Sequence, residues 1–150
     1  MNSIVKHTFN LLLVLLCCGW GKAASAQTPI SWIQFGQISF EINRTEEGTF
    51  SFPSPQFPQN IQDLNGQEVE IKGYVIPMDV EGTSYALSAY PNSSCFFCGA
   101  AGQESIMRME LTDYRIRYGV DEYRTFKGIL KLNHLPNDLL YILTEAKEVK

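Results

Sequence analysis

The most constraining feature of this chain is an alternation of apolar and polar residues that recurs in short stretches from about residue 66 onward, each stretch closed by turn-forming residues. Successive side chains of a strand point to opposite faces, so alternation at period two marks a strand with one buried face; a helix needs apolar residues three and four apart. Beyond the Asn65-Gly66 turn signal, Val69, Ile71 and Val75 alternate with Glu68, Glu70, Lys72 and Tyr74 as far as Pro77. Gly73 interrupts the apolar face and predicts a bulge or tight bend where a small barrel turns its corner. Glu81-Gly82 then turns the chain into a hairpin partner, Ser84 to Tyr90, with Tyr85, Leu87 and Ala89 on one face. A third strand follows over Ser105 to Leu111, where Met107, Met109 and Leu111 oppose Arg108 and Glu110. Tyr123 to Asn133 aligns Phe126, Gly128, Leu130 and Leu132 against Lys127 and Lys131, and Leu139 to Leu143 closes the set. Between the third and fourth strands, Thr112 to Asp121 is polar and tyrosine-rich and reads as an excursion or a short helix. The prediction is an all-β fold: a small five-stranded barrel of the oligonucleotide/oligosaccharide-binding (OB) type over residues 60–150.

Residues 27–59 read differently. Ile38, Phe40 and Ile42 alternate with polar residues, as one edge strand would, while Pro53, Pro55 and Pro58 stand among Phe50, Phe52 and Phe57. Prolines cannot donate to a ladder, so this stretch is excluded from a central strand and predicted as an extended arm whose phenylalanines pack on the core.

The first 26 residues form a secretory signal peptide by pattern. Lys6 and His7 give a weakly basic start, Phe9 to Cys18 an apolar run too short to span a bilayer comfortably, and Ala24-Ser25-Ala26 a small-x-small cleavage site with Gln27 as the new terminus. A lipoprotein reading needs a small residue before the modified cysteine, whereas Leu16 precedes Cys17 and Cys17 precedes Cys18. The alternative is an uncleaved anchor, the chain's one route to a membrane. Either way the folded part is periplasmic or secreted.

Removing that segment leaves roughly 120 residues, enough for one domain with one core. Hydrophobic residues at 45% and charged residues at 19% fit a packed globular protein. The formal charge of -4 includes Lys6 and Lys22, and their loss makes the mature domain more acidic still, which speaks against nucleic acid as a partner. Arg108, Arg115, Arg117 and Arg124 are interleaved with Glu110, Asp113, Asp121 and Glu122, a pattern of solvated faces. Glu46-Glu47 and Asp121-Glu122 are adjacent, so in extended structure their side chains diverge and cannot share a proton-transfer task. No nucleophile-and-base signature, phosphate loop or cofactor fingerprint occurs, and the chain reads as non-enzymatic.

The chemical lead is Cys95-Phe96-Phe97-Cys98-Gly99. Once the signal segment is gone these are the remaining cysteines, in a compartment where disulfides persist. Three chemistries compete. Two cysteines separated by two residues can aim both sulfurs at one zinc or copper ion, with Gly99 allowing the tight turn of a knuckle. Tetrahedral zinc needs two further ligands; His134 is the histidine left in the mature chain, and Asp79, Met107 and Met109 are weaker candidates, the methionines being explained by strand periodicity. Alternatively the pair is a redox-active dithiol, although Gly99-Ala100-Ala101-Gly102 begins no convincing helix whose dipole would lower a thiol pKa. The bland alternative is a local Cys95–Cys98 disulfide; closing so short a loop stabilises well below the ~3 kcal/mol expected for about 15 residues.

Leu64-Asn65-Gly66-Gln67-Glu68-Val69-Glu70-Ile71-Lys72-Gly73-Tyr74-Val75-Ile76-Pro77, the cysteine run and Gly128-Ile129-Leu130-Lys131-Leu132-Asn133 together resemble an exported bacterial family, domain of unknown function 3299, over about residues 60–146. The resemblance implies the order strand, cysteine loop, late strand, and an association with membrane transport and zinc-responsive gene neighbourhoods. Relatives often carry a histidine in or beside the cysteine loop, where this chain has Phe97. The expectation is an exported binding protein that holds zinc or copper through Cys95 and Cys98, with His134 as a further candidate ligand, as accessory to a membrane transporter or envelope protein.

Overall fold

The computed structural model describes residues 28–42, 53–135 and 138–150. The segment read as a signal peptide, residues 1–26, lies outside the described residues, as do Phe50 and Phe52. Among the described residues there are eight strands, β1 (Thr28–Pro29), β2 (Ser39–Glu41), β3 (Ser54–Gln56), β4 (Glu68–Pro77), β5 (Tyr85–Ser88), β6 (Ile106–Leu111), β7 (Tyr123–Leu132) and β8 (Tyr141–Glu148). Two one-turn helices, α1 (Trp32–Phe35) and α2 (Gln59–Gln62), precede the long strands. No helix among the described residues is long and apolar enough to cross a membrane.

β4 to β8 close into a five-stranded barrel in the order β4-β5-β6-β8-β7 and back to β4. β6 and β8 run parallel and the other barrel pairs antiparallel, which is the mixed strand order of an OB-type barrel. Closure depends on β4 serving two neighbours. Residues 68–74 pair with β7, and residues 74–77 pair with β5 on the opposite edge. Where β5 does not reach, β1 takes the edge, parallel, at Val69 and Glu70.

Gly73 lies at that handover. A Cβ there would stand 2.6 Å from the Ser88 carbonyl oxygen, closer than any side chain tolerates. Gly128, opposite Val69, meets the same constraint, with the Thr144 carbonyl oxygen at 2.5 Å, beside a register shift between β7 and β8. The barrel bends at both places because two backbones can approach only where no side chain intervenes.

The interior follows the alternation: Val69, Ile71, Val75, Leu87, Met107, Phe126, Leu130, Tyr141 and Leu143 are buried. Each large side chain so buried contributes about 1.5–3 kcal/mol of transfer free energy. The two ends are plugged differently. At the start of β8, Phe35 of α1 packs on Tyr141 with ring centroids 4.4 Å apart, and Phe57 on the same ring at 5.7 Å. Near the far end of β8, Tyr118 meets Tyr85 and Phe126 edge-on and its hydroxyl lies 3.4 Å from a Glu148 carboxylate oxygen.

Several local expectations are corrected. Ahead of the expected edge strand, the cluster Trp32, Ile33, Phe35 that follows β1 has helical spacing, Gln34 accepts the Ser31 N–H at 2.8 Å, and a single turn of helix forms. The Ile38–Ile42 alternation does give a strand, but β2 pairs with β3 in a separate two-stranded sheet, antiparallel across Phe40 and Pro55. Of the two alternatives for Thr112 to Asp121, an excursion or a short helix, the excursion is what forms, and Tyr118 within it serves as the end plug. The last strand begins at Tyr141 rather than Leu139 and extends to Glu148, with Leu139 and Leu140 buried ahead of it. All four residues of β5 are buried, because its outer face is also covered. That cover is a second apolar cluster, Ile76, Ala86, Ile106 and Leu139, onto which Tyr74 and Phe96 pack.

Candidate functional site

Phe96 belongs to the cysteine loop, which links β5 to β6 and lies against the outside of the barrel. Pro91, with φ of -56°, leads into a 3-10 turn over Asn92–Ser94; Cys95 is extended, and a second 3-10 turn covers Phe96–Cys98. Gly99 ends it in the left-handed region at φ 72°, a conformation cheap only for glycine. Short turns prevail over helix because Gly99 and Gly102 bracket too little chain for a second helical turn.

The loop is anchored at its base. Ala89 donates its N–H to the Ser105 carbonyl at 2.9 Å, and Asn92 donates its N–H to Asp121 Oδ1 at 2.6 Å. Asp121 itself stands at φ 63°, in the turn before β7, where its own N–H and Glu122's carbonyl continue the ladder with Val75. Asn92 and Asp121 are therefore positioning residues; in the sequence Asp121 reads only as surface charge beside Glu122, and a turn-forming Asp before the fourth strand is the faint signal of its role.

Within the loop the two sulfurs differ sharply. Cys95 is fully buried, whereas Cys98 is exposed. The Cys98 N–H donates to the Cys95 carbonyl at 3.1 Å, which makes the pair the first and last residues of one turn and brings their Cα atoms within ~7 Å. Both thiols face Asn92: Cys98 Sγ donates to its carbonyl at 2.9 Å, and Cys95 Sγ lies 4.0 Å from its Oδ1. In this structure no bond joins the two sulfurs. Partial desolvation, and then the adjacent Cys95 sulfur, pushes the Cys98 thiol above its ordinary pKa. No lysine, arginine or histidine occurs between Pro91 and Ser105 to oppose that shift. Nothing in the loop activates the thiol electrostatically, so its reactivity rests on its access to solvent.

The remaining candidates lie elsewhere. His134 is exposed in the β7–β8 link, edge-on to Phe57 at 5.1 Å. It borders a groove of about 440 Å³ between the β2–β3 arm and the barrel, together with Phe40, Pro55, Leu135, Asp138 and Leu140. Among the described residues no three His, Cys, Asp or Glu side chains converge on one point, so His134 does not join the cysteine pair. Met107 and Met109 are barrel core, and Asp79 accepts both the N–H and the hydroxyl of Thr83 in the β4–β5 turn. The structure thus brings together Cys95 and Cys98 and leaves the other expected ligands apart from them.

Comparison with known proteins adds a likeness of fold. A DUF3299 family protein from Pseudomonas aeruginosa PAO1, known from its crystal structure, is similar over 83% of this chain and 97% of its own, at 13% identity and a TM-score of 0.47. No family model matches the sequence, and no curated protein matches it.

Proposed function

We propose that this is an exported, non-enzymatic binding domain in which Cys95 and Cys98 close as a local disulfide that locks the β5–β6 loop over the outer face of the barrel. The observation that carries the reading is the turn itself: an exposed and a buried cysteine at its two ends, facing one asparagine, with no third donor converging on them among the described residues. Disulfides need Cα separations of about 4.4–6.8 Å, the range such a turn provides. An oxidising compartment supplies the driving force. The short closed loop adds little to global stability, so the bond acts on loop geometry. It pins Phe96 onto Tyr74 and the Ile76–Ile106 cluster.

The test is a thiol count on protein taken from the envelope under acid and alkylating quench. Intact mass without alkyl groups before reduction, and with two after it, is expected. Two alkyl groups before reduction overturn the reading.

A second reading is favoured by the shared orientation of the two sulfurs. Reduced, with Cys98 open to solvent and Cys95 beneath it, they form half of a metal site. Copper(I), a soft ion satisfied by two thiolates, suits two donors better than zinc, which would take its other ligands from a transporter or another envelope protein. Anaerobic titration of copper(I) and zinc into the reduced domain, against a double serine variant, decides this; equal uptake by both proteins ends it.

A further inference from the structure

We infer that Cys98, and not Cys95, is the sulfur through which this pair exchanges with thiols and disulfides outside the molecule, the partner being another thiol–disulfide protein or small thiol of the same compartment. The inference rests on the disulfide reading above and adds a direction to it. Thiol exchange requires in-line access to the sulfur attacked, so burial decides which of two bonded sulfurs a partner can reach. Cys95 is sealed between the loop and the barrel, and Cys98 is open to solvent.

The surroundings extend that access. Cys98 sits between exposed Phe97 and exposed Gly99, and nothing lies within 4 Å of where a Gly99 side chain would begin. A hollow of about 470 Å³, lined by Tyr90, Ser94, Ala100, Ala101, Gly102 and Glu104, opens on the flank of the same loop. It gives room for the chain on either side of a partner's cysteine. Small side chains at positions 99 to 102 keep that approach free of obstruction.

The step balances without further reagents. The Cys98 thiolate attacks one sulfur of the partner's disulfide; the partner's S–S bond breaks, a Cys98–partner mixed disulfide forms, and the expelled partner thiolate takes up a proton. The Cys95 thiolate then attacks the Cys98 sulfur, forming the internal bond and expelling the second partner thiolate. The domain loses two electrons and two protons, and the partner gains both. In the reverse direction a partner thiolate attacks Cys98 and releases Cys95.

Reduced wild type, Cys95→Ser and Cys98→Ser are mixed separately with glutathione disulfide, and adduct mass is followed over time. Cys95→Ser gains one lasting glutathione at least about tenfold faster than Cys98→Ser, whose sulfur is buried. Wild type passes through the adduct to an internal disulfide. Equal or faster labelling of Cys98→Ser overturns the inference. Correct ordering combined with a wild type that keeps its glutathione and never closes internally overturns the disulfide reading instead. Should a serine variant fail to fold, a sub-stoichiometric pulse of iodoacetamide on reduced wild type, followed by peptide mapping, gives the same ordering: label on Cys98 supports the inference, and label on Cys95 overturns it.

Discussion

The β4–β7 seam and the cysteine loop both depend on glycine, for opposite reasons. At the seam, Gly73 and Gly128 are needed for space, because backbone carbonyls of Ser88 and Thr144 occupy the positions their side chains would fill. In the loop, Gly99 is needed for its backbone angle and has open space around it. The seam is held by a continuous ladder from Glu68 to Tyr74, whereas the loop hangs on a few bonds to Asp121 and Ser105. A region that closes a barrel cannot give way locally; a loop laid on its surface can. The two cysteines therefore lie where a change of bonding would leave the barrel intact.

The largest effect should come from filling the seam. Gly73→Val or Gly128→Val forces a side chain against backbone that cannot move without opening the ladder, and a loss on the order of 3 kcal/mol is expected. Urea denaturation followed by far-ultraviolet circular dichroism measures it, and an unchanged midpoint would mean that the strands do not approach at these positions. Gly99→Ala sharpens the contrast: it pays only the left-handed backbone penalty, about 1–2 kcal/mol, and part of that is relieved by local loop adjustment. Its signature is faster alkylation of Cys95 with far-ultraviolet dichroism unchanged.

The smallest effect is a pH dependence belonging to the barrel alone. Burial, and then the neighbouring Glu148 carboxylate, pushes the Tyr118 hydroxyl up to about 12. The folded chain holds this proton more tightly than the unfolded chain, whose tyrosines titrate near pH 10. Tyr118's contribution is therefore complete below about pH 10 and is lost as the pH rises through about 12. Tyr141, buried against Phe35, shifts in the same direction through burial and then Glu104. Urea midpoints across this alkaline window should fall less steeply for Tyr118→Phe than for wild type. Equal slopes would show that the end plug is open to water.

The long strands were legible in the sequence because one face of each meets the core and the other meets solvent, which writes a two-residue rhythm into residues 68–77, 106–111 and 123–132. Gly73 was legible as a bend for the same reason, a missing side chain on the buried face. The rhythm also placed β5, with Tyr85 and Leu87 inward, but did not show that its outer face is covered as well, and it gave no sign of the helical turn at Trp32–Phe35 that follows a proline-bearing strand two residues long. The cysteine pair was legible as a motif, but its asymmetry was not. His134 carried no sign in the sequence of its packing on Phe57, beside the groove under the arm.

What the sequence determined by itself is local: where strands run, where the chain turns, and that Cys95 and Cys98 share one turn. Only the tertiary structure decided that β6 lies beside β8 in parallel, that Phe35 and Phe57 plug one end of the barrel on Tyr141, and that one cysteine is sealed while its neighbour is open. The physical reason is that periodicity records which side of a segment avoids water, whereas the identity of what covers that side is settled by hydrogen bonds and contacts between residues far apart along the chain.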